Sequence, residues 1–110
     1  MEGKKKPSKR GDERKFKRAP LHFGADKPAH TGMGIRLSTT GVFISANRPI
    51  FKKGSRLVVE FKTPGGPIVV SAVVRHCTNI APQLASPGQN GMGVEFISPP
   101  PELVEYLAGL

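Results

Sequence analysis

RLSTTGVFIS runs from Arg36 to Ser45 and joins two strand-like pieces, Ile35-Arg36-Leu37 and Val42-Phe43-Ile44, through the polar link Ser38-Thr39-Thr40-Gly41. A short polar link ending in glycine is a hairpin signal, because glycine reaches positive φ without a Cβ clash. A hairpin does not by itself call for a charged side chain two positions before the turn serine. Arg36 therefore raises the question of whether this turn is also the rim of a binding site.

Working outward, the chain repeats the same grammar of short apolar runs cut by glycine and proline. Upstream lies a short strand at Leu21–Phe23, then a loop at Gly24–Gly32, then Met33–Leu37 entering the hairpin. Downstream, Arg48–Gly54 carries Pro49 and the Lys53-Gly54 turn, and Leu57–Phe61 alternates as a strand does. TPGGP (Thr63–Pro67) is a strong turn, since glycine and proline each impose a distinctive φ. Ile68–Cys77 is the longest β-branched run and is expected to be the most buried strand. Thr78–Gly91 reads as a long polar loop, and Met92–Ile97 as the last strand. PPPELVEYLAGL reads as a short helix: proline is tolerated in its first turn, Glu102 suits its start, and Leu103, Tyr106, Leu107 and Leu110 share one face. Six short strands with turns between them predict a mainly β fold, a small six-stranded antiparallel barrel with one C-terminal helix.

One weak echo recurs, GMGIRL from Gly32 and GMGVEF from Gly91, each read as a turn-to-strand entry. Neither completes G-x-G-x-x-G, because the sixth residues are Leu37 and Phe96, so a dinucleotide-binding fingerprint is excluded.

Length and charge bound the function. The 110 residues suffice for one small domain and carry a formal net charge of +9. Nine of the 17 basic residues fall within residues 1–18, against three acidic ones. Residues 1–13 lack apolar periodicity and are expected to form a disordered basic arm, with residues 14–110 forming the domain. Such an arm points to an anionic partner. Cys77 is the sole cysteine, which excludes an internal disulfide and suits a reducing cytoplasm. No apolar run of about 18 residues is present, so no membrane insertion is expected. The basic start is not followed by an apolar stretch, unlike a secretory signal.

Catalysis and metal binding find little support. The metal candidates are His22, His30, His76 and Cys77, and the adjacent pair on a strand points to opposite faces. Cys77 ends an apolar strand and reads as a buried structural thiol. Asp12 and Asp26 lie in polar segments without a nucleophile beside them. Neither an enzyme, a metal nor a cofactor is expected. A specific nucleic-acid binder would need exposed aromatics to stack bases, and most of Phe16, Phe23, Phe43, Phe51, Phe61, Phe96 and Tyr106 sit at core-like positions.

The arm carries more. RKFKR (Arg14–Arg18) holds two arginines with three residues between them, and a guanidinium grips phosphate, or the O6/N7 edge of guanine, with two parallel bonds. Taken in order, RKFKR, LSTTGVFIS, VVR (Val73–Arg75) and GMGVEF resemble the PilZ domain, a bacterial cyclic di-GMP receptor module built as a six-stranded barrel with a C-terminal helix. The resemblance covers roughly residues 14 to 108. Its two motifs, R-x-x-x-R and [D/N]-x-S-x-x-G, fall on Arg14 and Arg18 and on Ser38 and Gly41, with Arg36 at the [D/N] position. The resemblance implies a cyclic di-GMP site made of Arg14, Arg18, Arg36, Ser38 and Gly41, in an effector that relays the second messenger to a protein partner. It also implies a departure. The family's acceptor for guanine N–H groups is replaced by a side chain with five donors and no acceptor. The rival reading is a degenerate adaptor that has lost the nucleotide and acts through protein contacts.

Overall fold

The computed structural model describes residues 18–81 and 83–109. The expected disordered arm, Arg14 and the last apolar position of the helix, Leu110, lie outside the described residues. Six strands follow in order: β1 (Arg18–Gly24), β2 (His30–Ile35), β3 (Gly41–Ser45), β4 (Arg56–Thr63), β5 (Gly66–Thr78) and β6 (Gly91–Ile97), with α1 (Pro101–Ala108) after them. Every pairing is antiparallel, and the sheet closes in the order β1-β2-β3-β6-β5-β4. Closure removes the sheet edges, so each strand is paired on both sides.

Strand alternation fills the barrel. Leu21 and Phe23 of β1, Leu57, Val59 and Phe61 of β4, and Met92 of β6 are almost wholly buried. One end is plugged by the β3–β4 connection, where Ile50 and Phe51 pack on the core and Phe51 meets Phe23 edge-on at 6.4 Å. The Phe51 amide donates to Met92 Sδ at 3.2 Å. At the opposite end α1 contributes Leu103 and Leu107 to the core, and Tyr106 lies 6.5 Å from Phe61. Pro101 starts this helix, where a missing N–H is harmless, and Glu102 sits in its first turn as expected.

Four local expectations are corrected. β2 starts at His30 rather than Met33, because the ladder with β1 continues to the Phe23–His30 pair. Leu37 leaves the strand yet stays in the core at 5% exposure. β5 is not the most buried strand: only Val70, Ala72 and Val74 are buried, while Val69 is 52% exposed. β6 is buried continuously from Gly91 to Val94. Cys77 is exposed, since it lies beyond the last core residue of β5.

The polar loop before β6 is anchored rather than loose at its end. Asn90, 3% exposed, accepts from the Ile80 amide at 2.7 Å and donates to the Ile80 carbonyl at 2.6 Å and to Asn47 Oδ1 at 3.1 Å. A buried amide is stable only when its polar atoms are satisfied, and these bonds do that while tying the loop to the end of β3.

Candidate functional site

The β1–β2 register brings the two arginines of the separate motifs to one end of the barrel. Arg18 faces Ile35 across the ladder, and Arg36 follows Ile35 directly. Arg36 has φ +52°, a left-handed conformation that asparagine and aspartate adopt more readily than other side-chain-bearing residues. The backbone at this position therefore still suits an Asp or Asn, although an arginine occupies it.

Ser38 holds the turn. Its Oγ accepts from the Thr40 and Gly41 amides at 3.2 Å each, and its own proton lies within reach of the Gly41 carbonyl at 3.2 Å or Thr40 Oγ1 at 3.1 Å. The Ser38 amide donates to the Gly41 carbonyl at 3.0 Å. A hydroxyl has one donor and two acceptor sites, so these bonds engage its whole capacity. Gly41 is required by close approach: a Cβ there would overlap the Val94 carbonyl of β6. The serine and the glycine thus fix how β3 leaves the turn and meets β6.

On the outer face of the barrel these elements enclose a shallow hollow of about 260 Å³, lined among others by Arg36, Ser38, Phe43, Arg75, His76 and Gly93. Its floor is aromatic. Phe43 stacks on His76 with centroids 6.2 Å apart and planes inclined by 26°, and the Arg36 guanidinium lies 5.2 Å from the Phe43 centroid. That separation is within the range of a cation–π contact. The glycines of β6 make the room. A Cβ on Gly93 would run into the His76 imidazole, and one on Gly91 would come within 2.9 Å of the Phe43 ring. At the rim, Arg75 Nε donates to Glu95 Oε1 at 2.7 Å. Arg75 is where the β5–β6 register shifts, between the Val74 and His76 pairs. A bulge of this kind re-aims side chains beside a site.

A second hollow, of about 370 Å³, adjoins the first through Arg36 and is lined also by Arg18, Met33, Ile35 and Ser45. Of the expected site residues, Arg18, Arg36, Ser38 and Gly41 thus come together across two adjoining hollows, and Arg14 lies outside the described residues. Sequence reasoning missed Phe43, His76, Arg75 and Glu95 as site residues. The usable signal was the alternation of GMGVEF, which puts Glu95 on the face of the two glycines. Among the described residues no group of three or more His, Cys, Asp or Glu is assembled. His22 instead lies near Glu60 at 3.8 Å, across the β1–β4 ladder. No helix among the described residues is long and apolar enough to cross a membrane.

Comparison with known families matches residues 8–110 to the PilZ domain. No curated protein matches the chain.

Proposed function

The chain belongs to the PilZ family, in general a cyclic di-GMP receptor module, and on that premise we propose that it is a non-enzymatic cyclic di-GMP effector that signals to a protein partner in the cytoplasm. The observation that carries this reading is the convergence of Arg18, Arg36 and the serine–glycine turn on adjoining hollows with an aromatic floor. Three arginines, Arg18, Arg36 and Arg75, line those hollows, which suits an anionic nucleotide. Stacking of a base on a guanidinium that itself rests on Phe43 gives the purine a flat surface.

In this mechanism Arg18, at the start of β1, and Arg14 neutralise the phosphates of the nucleotide. Ser38 and Gly41 act through the turn they hold, keeping Arg36 and β3 in place. The bound nucleotide then changes the surface that this end of the barrel presents to the partner.

Calorimetric titration with cyclic di-GMP, with a linear guanine dinucleotide as control, tests the proposal. Cyclic di-GMP is expected to bind at physiological salt and the linear compound poorly. Arg14→Ala and Arg18→Ala should each weaken binding by about tenfold or more, since charge-assisted bonds contribute roughly 1.5–3 kcal/mol. A folded wild-type protein that ignores cyclic di-GMP would leave the adaptor reading in its place.

A further inference from the structure

Guanine presents N1–H and N2–H donors beside the O6 acceptor, so a site that selects it needs an acceptor and a donor side by side. Position 36 supplies no acceptor. Five carboxylates fall among the described residues: Asp26, Glu60, Glu95, Glu102 and Glu105. Asp26 sits in the β1–β2 loop, at the far end of that hairpin from Arg36. Glu60 pairs with His22 on the β1–β4 side of the barrel, and Glu102 and Glu105 line a groove beside the β4–β5 turn. Of these five, Glu95 alone adjoins the site. It is the ladder partner of Gly41, the last residue of the Ser38 turn, and directly opposed residues share a face of the sheet. Gly41 has no side chain, so nothing from that position of β3 covers Glu95 on its turn side.

We infer that Glu95 is the guanine-reading acceptor of this domain and replaces the acceptor that position 36 lacks; the inference rests on the cyclic di-GMP reading above. Its Oε1 already accepts from Arg75 Nε at 2.7 Å, at the edge of the hollow that Arg75 lines. A carboxylate offers about four lone-pair sites, so it keeps Arg75 while accepting from N1–H and N2–H. Arg75 supplies the neighbouring donor for O6. The pair thus matches guanine, whereas adenine would set its N1 lone pair against the carboxylate. Both side chains are more than half exposed, at 61% and 53%, and an ion pair in that setting holds its geometry weakly enough to turn toward a ligand.

The test titrates wild type, Glu95→Gln and the double variant Arg36→Asp/Glu95→Gln with cyclic di-GMP, cyclic di-IMP and cyclic di-AMP. Wild type should prefer cyclic di-GMP over cyclic di-IMP, which lacks the 2-amino donor, and over cyclic di-AMP. Glu95→Gln should lower cyclic di-GMP affinity by roughly tenfold and flatten that preference. Arg36→Asp in the double variant should restore it, because it returns an acceptor to the turn. Glu95→Gln binding cyclic di-GMP as wild type does overturns the inference and leaves the receptor reading intact. An equal loss for all three nucleotides also overturns it, since Glu95 would then only position Arg75. Absence of cyclic di-GMP binding by wild type overturns the receptor reading and this inference together.

Discussion

Gly32-Met33-Gly34 and Gly91-Met92-Gly93 are the same tripeptide, each in a strand of the same barrel, and they do opposite things. In β2 the glycines face inward. A Cβ on Gly34 would meet Leu21 Cδ2 at 2.9 Å and Val42 Cγ2 at 3.0 Å, and one on Gly32 would meet Ile44 Cγ2 at 2.9 Å. In β6 the methionine faces inward and is fully buried, while the glycines face out under Phe43 and His76. One pair gives space to the core, the other gives space to a surface hollow. The difference is a single step of strand parity. Missing side chains serve packing on one face and a candidate site on the other.

Gly91→Ala should have the largest effect. Its Cβ would overlap the Ile44 carbonyl, which is backbone and cannot turn aside, and Gly91 has φ +154°, where side chains are strained. The β3–β6 ladder would have to part. A loss of roughly 3 kcal/mol or more is expected, read by chemical denaturation. Retained stability would mean that β6 can enter the barrel without this close approach.

Gly34→Ala comes next. Its neighbours are the ends of core side chains, with the Ala19 carbonyl at 3.2 Å, so the core can yield only by tenths of an ångström. Overpacking of this kind costs about 1–3 kcal/mol. Gly34→Ala is expected to lower the thermal midpoint while leaving the outer hollow, and so any nucleotide affinity of the folded protein, unchanged.

The contrast also shows what the sequence conveys. All six strands, the helix and the hairpin at Ser38–Gly41 were legible, because turn residues and apolar runs are local signals. The face of each glycine was not, since parity depends on register with strands far along the chain. Phe43 was read as core because Val42, Phe43 and Ile44 are consecutive apolar residues and all three are buried. Phe43 is covered from outside, by His76 and Arg36. β5 misled in the reverse sense. Valine occupies outward positions too, so Val69 and Val73 hid an alternation that only Ser71 disclosed. Of the candidate site, Arg18, Arg36, Ser38 and Gly41 entered as what the resemblance to the PilZ domain implies. Arg75, His76 and Glu95 join it through the β5–β6 and β3–β6 ladders, which no local pattern announces.

Arg36 gives a smaller effect of opposite sign. It carries a full side chain through a left-handed backbone, at φ +52°. Arg36→Asn is expected to raise stability by about 0.5–1 kcal/mol, less the modest contact with Phe43 that it removes. Denaturation midpoints of Arg36→Asn and Arg36→Ala separate the two contributions, since alanine loses the contact without gaining the backbone preference. An Asn variant no more stable than the Ala variant would mean that the turn, not the residue, sets this conformation at no cost.

Gly93→Ala should change stability least, and it tests the comparison most directly. Its added Cβ would run into the imidazole of His76, a side chain of an exposed residue that is free to swing outward. Its φ lies outside the left-handed region, so alanine fits the backbone, and replacing glycine restricts the unfolded chain by about 0.4–1 kcal/mol in the protein's favour. The net change should be within about 0.5 kcal/mol, because this gain offsets the cost of displacing the exposed imidazole. The hollow is expected to change even so. His76 can no longer stack on Phe43, so its imidazole proton resonances should lose the ring-current shift of that contact. A Gly93→Ala protein as destabilised as Gly34→Ala would mean that the His76–Phe43 stack is part of the structural packing. The two glycine pairs would then differ in direction but not in purpose, and the outer hollow would be a by-product of closing the barrel.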